Sequence, residues 1–234
     1  MIARFSSGQL CVPALCIVAL INGGSAMAVE QKAIQTKRVV LVGASIGKGW
    51  NFDGLGRRIQ RPDYRFDYQG AFQFDKGEMI QDLIKSPDKP AIVLIKECSV
   101  YFPGDLNEYE RQVTAWVDRL KASGIQPMLV TTVPVKRARG VFARLKDTIK
   151  GLLGKPSRQE CLTSFNDWMT AYGRRAGVPV FDIESFLRSG ADDRWLRADY
   201  DAGDGVHLNA RAYGELDREF GRFLMNWESG SQNK

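Results

Sequence analysis

A chain of 234 residues with 44% hydrophobic and 26% charged side chains is long enough for one well-buried core and short for two. One histidine and four cysteines without a Cys-x-x-Cys pair supply no ligand set for a dedicated zinc site, so no metal or other cofactor is expected. The net charge is +6, yet neither zinc-finger spacing nor an aromatic RNA-binding stretch accompanies it, which argues against a nucleic-acid partner.

The chain opens with Arg4, an apolar run from Leu10 to Ile21 and the small residues of Ala26-Met27-Ala28, the three parts of a secretory signal peptide. Residues 1–28 are expected to be that peptide, and the protein to be exported, periplasmic or secreted. The run is shorter than the roughly 20 residues that span a bilayer, which leaves an uncleaved anchor as the alternative. Leu15 stands before Cys16 where a lipid-attachment site needs a small residue. Cleavage would leave Cys98 and Cys161, bridged or free. Residues 29–37 read as a flexible lead-in, 38–228 as the domain and 229–234 as a flexible tail.

Arg38 to Val42 is a continuous β-branched and aliphatic run ending at Gly43, the pattern of a strand buried on both faces. Tyr64 to Tyr68 alternates and ends at Gly70, and Lys76 to Ile84 reads as a helix stopped before Pro87. Ala91 to Ile95 is a third strand. Leu106 to Leu120 carries Val113, Trp116, Val117 and Leu120 at helical spacing. Pro127–Val133 is the fourth strand, Cys161–Ala176 a helix, Val178–Ile183 the fifth strand and Leu208–Trp227 the closing helix. Such alternation predicts a five-stranded parallel sheet in a three-layer α/β/α sandwich of flavodoxin-like type. Ligands in that architecture sit beyond the carboxyl ends of the strands.

Ser45 follows the first strand in Gly43-Ala44-Ser45-Ile46-Gly47, where a strand-to-helix turn projects a hydroxyl at the ligand edge. A serine there also serves as an ordinary helix cap, and needs a base to become a nucleophile. Asp204-Gly205-Val206-His207 supplies one: an aspartate three residues before a histidine can accept from one ring nitrogen and leave the other free. Ser45, His207 and Asp204 are therefore the candidate nucleophile, base and orienter of an acyl-transfer site.

The block Val39 to Ser45 near the start, with Asp204-Gly205-Val206-His207-Leu208-Asn209 near the end, resembles the first and last blocks of the SGNH (GDSL-type) hydrolases. The resemblance implies the same α/β/α fold, a triad of Ser45, Asp204 and His207, and hydrolysis of a carboxylic ester. With export it points to short acyl groups on a small molecule, carbohydrate or cell-envelope material, with phospholipid or lipid esters left open. The middle blocks depart from the family. Its oxyanion hole uses the nucleophile's N–H, a glycine after strand two and an asparagine after strand three. Here the candidates are Ser45, Gly70 and, in place of the asparagine, Ser99 or Lys96 within Lys96-Glu97-Cys98-Ser99. An ionised Glu97 pointing inward would oppose a developing anion. This leaves open an O-acetyltransferase, with acceptor hydroxyl in place of water, and a catalytically silent envelope-binding domain.

The 136–155 stretch interleaves Lys136, Arg137, Arg139, Arg144, Lys146 and Lys150 with Val141, Phe142, Leu145, Ile149 and Leu152. It reads as a basic amphipathic helix, packed on the domain or making peripheral contact with an anionic envelope surface. Trp195 and Tyr200 are packing residues or a platform for a sugar ring.

Overall fold

The computed structural model describes residues 36–137 and 156–231. The expected signal segment and all of the 136–155 stretch beyond Arg137 lie outside the described residues. Five strands, β1 Lys37–Gly43, β2 Tyr64–Gly70, β3 Ile92–Lys96, β4 Gln126–Val130 and β5 Val180–Phe181, form one sheet in the order β2-β1-β3-β4-β5. Every pair is parallel. The expected flavodoxin-like α/β sandwich is the fold observed.

Parallel neighbours require crossovers, and the helices that make them cover both faces. These are α1 Ser45–Gly49, α2 Leu55–Arg58, α3 Lys76–Lys85, α4 Leu106–Ala122, α5 Arg158–Ala176, α6 Ile183–Leu187 and α7 Ala210–Ser231. Successive side chains of β1 serve opposite cores. Val40 and Val42 join Val93 and Ile95 of β3 and Ile80, Val113, Trp116, Phe165 and Met169 from α3, α4 and α5. Val39 and Leu41 join Leu94 of β3, Met128 of β4, Trp50 at the end of α1, and Leu55, Leu216 and Phe220 from α2 and α7. Each fully buried aliphatic or aromatic side chain contributes roughly 1.5–3 kcal/mol.

The element boundaries shift where side chains capture the backbone. β4 stops at Val130 rather than Val133, because Thr132 N–H donates to Asn166 Oδ1 (2.8 Å) and Val135 N–H to Gln159 Oε1 (3.1 Å) on α5. Those donors are satisfied without a ladder. β5 contracts to two residues, with Thr131 N–H reaching Phe181 O at 3.2 Å and Asp182 already capping α6. α5 starts earlier than the apolar spacing suggested, at a capping box in which Ser157 and Glu160 exchange bonds, and ends at Gly177 in the left-handed region. α7 starts two residues later than expected, after Asn209 accepts from Ala212 N–H, and runs on to Ser231 through the beginning of the stretch read as a tail. Cys98 and Cys161 are separate buried thiols.

Candidate active site

β1 lies between β2 and β3, so the turns leaving those two strands flank whatever sits at its carboxyl end. Gly43 ends the strand, Ala44 stays extended, and Ser45 is the first residue of α1. The ring of Tyr68 lies across this turn, and its hydroxyl donates to Ala44 O at 2.9 Å. Only glycine fits beneath that ring: a Cβ on Gly47 would lie 2.5 Å from Tyr68 Cε2.

The 201–209 segment is a tight turn closed by the antiparallel bridge between Asp201 and Leu208 and by Ala202 N–H donating to His207 O at 2.9 Å. Gly203 and Gly205, at φ +118° and +81°, supply conformations that other residues rarely adopt. Asp204 Oδ1 accepts from the N–H groups of Val206 (3.0 Å) and His207 (2.8 Å), and Oδ2 meets His207 Nδ1 at 2.5 Å. The imidazole, and then the two amides, hold the Asp204 carboxyl well below the usual carboxylate range. An ionised carboxylate only accepts, so neutral His207 carries its proton on Nδ1 and leaves Nε2 as an acceptor. Ser45 Oγ lies 3.0 Å from that Nε2. The fold thus brings Ser45 into one hydrogen-bonded relay with a histidine 162 positions along the chain and its neighbouring aspartate.

Lys136 fastens the turn to the end of the β4 chain. Its N–H donates to Gly205 O at 2.9 Å, its Nζ lies 2.5 Å from Asp201 Oδ2, and Asp201 Oδ1 accepts from Gly205 N–H at 2.8 Å. Arg137 pairs with Asp193 at 3.0 Å and lies over Trp195. The first two cations of the basic stretch therefore have partners within the domain. Tyr200 is buried beneath Arg197, at 4.2 Å, and is a packing residue rather than a sugar platform.

The candidate oxyanion donors divide. Gly70 pairs with Gly43 at the end of the β1–β2 ladder, and the following Ala71 N–H is engaged by Gly43 O at 3.0 Å. The β1–β3 pairing ends at Val42 and Ile95, and Ser99, itself buried, opens the 3-10 turn 99–101 beyond it. Glu97 does not present a bare charge to the cleft. Lys76 Nζ donates to its Oε2 at 2.9 Å, and both side chains have no exposed surface. Burial raises the Glu97 pKa while Lys76 pulls against it. Lys96 is also buried and donates to Glu97 O at 2.9 Å.

Tyr68, the Lys136–Asp201 pair and the Lys76–Glu97 pair are the contributors that sequence reasoning missed. One signal was present: two charged residues, Lys96 and Glu97, follow a strand that is apolar throughout.

No protein-family model and no curated protein matches this chain. Solved structures do. A crystal structure of a putative acylhydrolase from Bacteroides fragilis superposes with a TM-score of 0.60 at 22% identity, covering 81% of this chain and 87% of that one. A GDSL-like lipase from Bacteroides thetaiotaomicron gives 0.60 at 18% identity, over 81% and 88%. An acetylxylan esterase from Geobacillus stearothermophilus gives 0.58 at 16%, over 80% and 94%. The fold is shared along nearly the whole length of each.

Proposed function

We propose that this chain is a divergent SGNH (GDSL-type) hydrolase, a serine esterase acting through an acyl-serine intermediate. The observation that carries the reading is the unbroken relay from Asp204 through His207 to Ser45 at the carboxyl end of β1. The 3.0 Å from Ser45 Oγ to His207 Nε2 is within the reach a general base needs, and the bond from Nδ1 to Asp204 orients that base.

In the reaction, Ser45 Oγ attacks the ester carbonyl as His207 Nε2 takes its proton, and the carbonyl electron pair moves onto oxygen. Collapse expels the alcohol, which receives that proton from His207, and leaves the acyl group on Ser45. Water, deprotonated by the same nitrogen, attacks the acyl-serine, and His207 returns that proton to Ser45 Oγ as the bond to the acyl group breaks and the acid leaves. Asp204 holds the ring in the productive tautomer and stabilises the imidazolium formed at each step.

The acyl group is short and the alcohol a small molecule or carbohydrate. Support comes from the fold shared with an acetylxylan esterase, and from Phe72, Phe74 and Val100, exposed on the turns flanking β1, which offer apolar contact to an ester. Export through the 1–28 segment would place the enzyme with envelope or extracellular polymers.

Hydrolysis of a short-chain aryl ester tests the reading. Ser45→Ala is expected to abolish turnover, and a fluorophosphonate probe to label Ser45 in the wild type but not in His207→Ala. Full activity in Ser45→Ala sinks the assignment. Predominant transfer of acetyl to an added oligosaccharide, instead of release of acetate, would make the protein an acyltransferase.

A further inference from the structure

We propose that the buried Lys76–Glu97 pair is a positioning clasp that sets the spacing of the two turns, after β2 and after β3, between which the oxyanion forms at Ser45. The inference rests on the esterase reading and concerns how the site works without the asparagine expected after β3.

In the strand order β2-β1-β3, donors for an anion beside Ser45 come from its own turn and from the turn on either side. Lys76 holds those outer turns together. Its Nζ donates to Gln73 O at 3.2 Å, on the turn after β2, and to Glu97 Oε2 at 2.9 Å, on the turn after β3. The same ammonium lies 4.9 Å from the ring centroid of Tyr101, in the 3-10 turn that follows Glu97, and 5.9 Å from that of Trp116 on α4. Glu97 is held a second time through its carbonyl, which accepts from Lys96 Nζ at 2.9 Å. Cys98 comes next in the chain, on the turn after β3.

Two features argue that the pair serves position more than stability. Replacing a fully buried ion pair by apolar residues of similar size is often neutral or stabilising, so the fold has little need of one. Gln73, whose carbonyl Lys76 holds, sits at φ +40°, and such backbone conformations persist only where the surroundings enforce them. Strain and a desolvated ion pair therefore meet at one junction, between the turns that must not drift apart.

The test is the double variant Lys76→Met/Glu97→Leu, which removes both charges and leaves neither partner stranded. It is expected to unfold at the wild-type temperature while its kcat on a short-chain aryl ester falls about 100-fold, the cost of misplacing reacting groups by about 1 Å. KM should stay within about 3-fold, because ground-state binding does not use the hole. Fluorophosphonate labelling of Ser45, which also builds negative charge on oxygen, should slow in parallel. Glu97→Gln keeps an acceptor for Lys76 and should retain more kcat than the double variant. A folded double variant with wild-type kcat overturns the clasp. So does one that loses activity only in proportion to lost folding, since the pair is then merely structural. A wild-type protein that neither hydrolyses esters nor labels at Ser45 overturns the esterase reading itself, and the clasp with it.

Discussion

Lys96 carries an ammonium group into a place with almost no solvent, 2% exposed, where Glu97 O is its acceptor. Burial pushes its pKa down to about 8. The unfolded chain keeps that proton up to about pH 10.4, so between pH 8 and 10.4 the unfolded state binds more protons and stability rises with pH. Below pH 8 both states are protonated and the full penalty, roughly 3 kcal/mol, remains. Lys96→Met should therefore be more stable than wild type at pH 7, with a gap that narrows by pH 10. Denaturant unfolding of both proteins at the two pH values checks this; a constant gap would contradict it. The candidate nucleophile, base and orienter were legible residue by residue, because Ser45 follows an apolar strand and Asp204 precedes His207 by three. The donors around them were not. Whether Gly70, Ser99 or another group faces Ser45 depends on how the turns after β2 and β3 leave the sheet, and no local pattern encodes that.

The 201–209 turn shows what an element adds. Its own hydrogen bonds shape it, but its place against Ser45 depends on Lys136, 65 residues from Asp201 in sequence. Lys136→Met leaves Asp201 Oδ2 without its cation in a nearly buried position, while the two backbone bonds of Gly205 still hold the turn. We expect kcat for ester hydrolysis to fall about 10-fold, with KM unchanged and Lys136→Arg largely restoring it, because a shifted base affects proton transfer and not ground-state binding. Steady-state kinetics on the three proteins decides. The short β4 and β5 carry the same lesson. Their sequences have strand composition beyond Val130 and on both sides of Val180–Phe181, yet Asn166, Gln159 and Asp182 capture the backbone first. Composition reports propensity, and competition from side chains distant in sequence ends the strand.

Across the whole molecule, α7 closes the sandwich through Phe220. Its ring lies 5.1–6.1 Å from those of Trp50, Phe52, Phe66, Phe181 and Phe223, so one side chain joins the α1 region, β2, β5 and α7. Phe220→Ala should cost about 3–5 kcal/mol through lost burial and the cavity left behind. That corresponds to a drop of roughly 10 °C in Tm for a domain of this size, measurable by calorimetry. The alternation of strands and helices, the parallel sheet and the residues of the relay were determined by the sequence itself, because buried strands and amphipathic helices write their periods locally. Tertiary structure decided the register of the strands, the partners of Lys76, Glu97, Lys96 and Asp201, and the groups beside Ser45. Those depend on contacts between residues tens of positions apart, and a buried charge acquires its partner only when the chain folds around it.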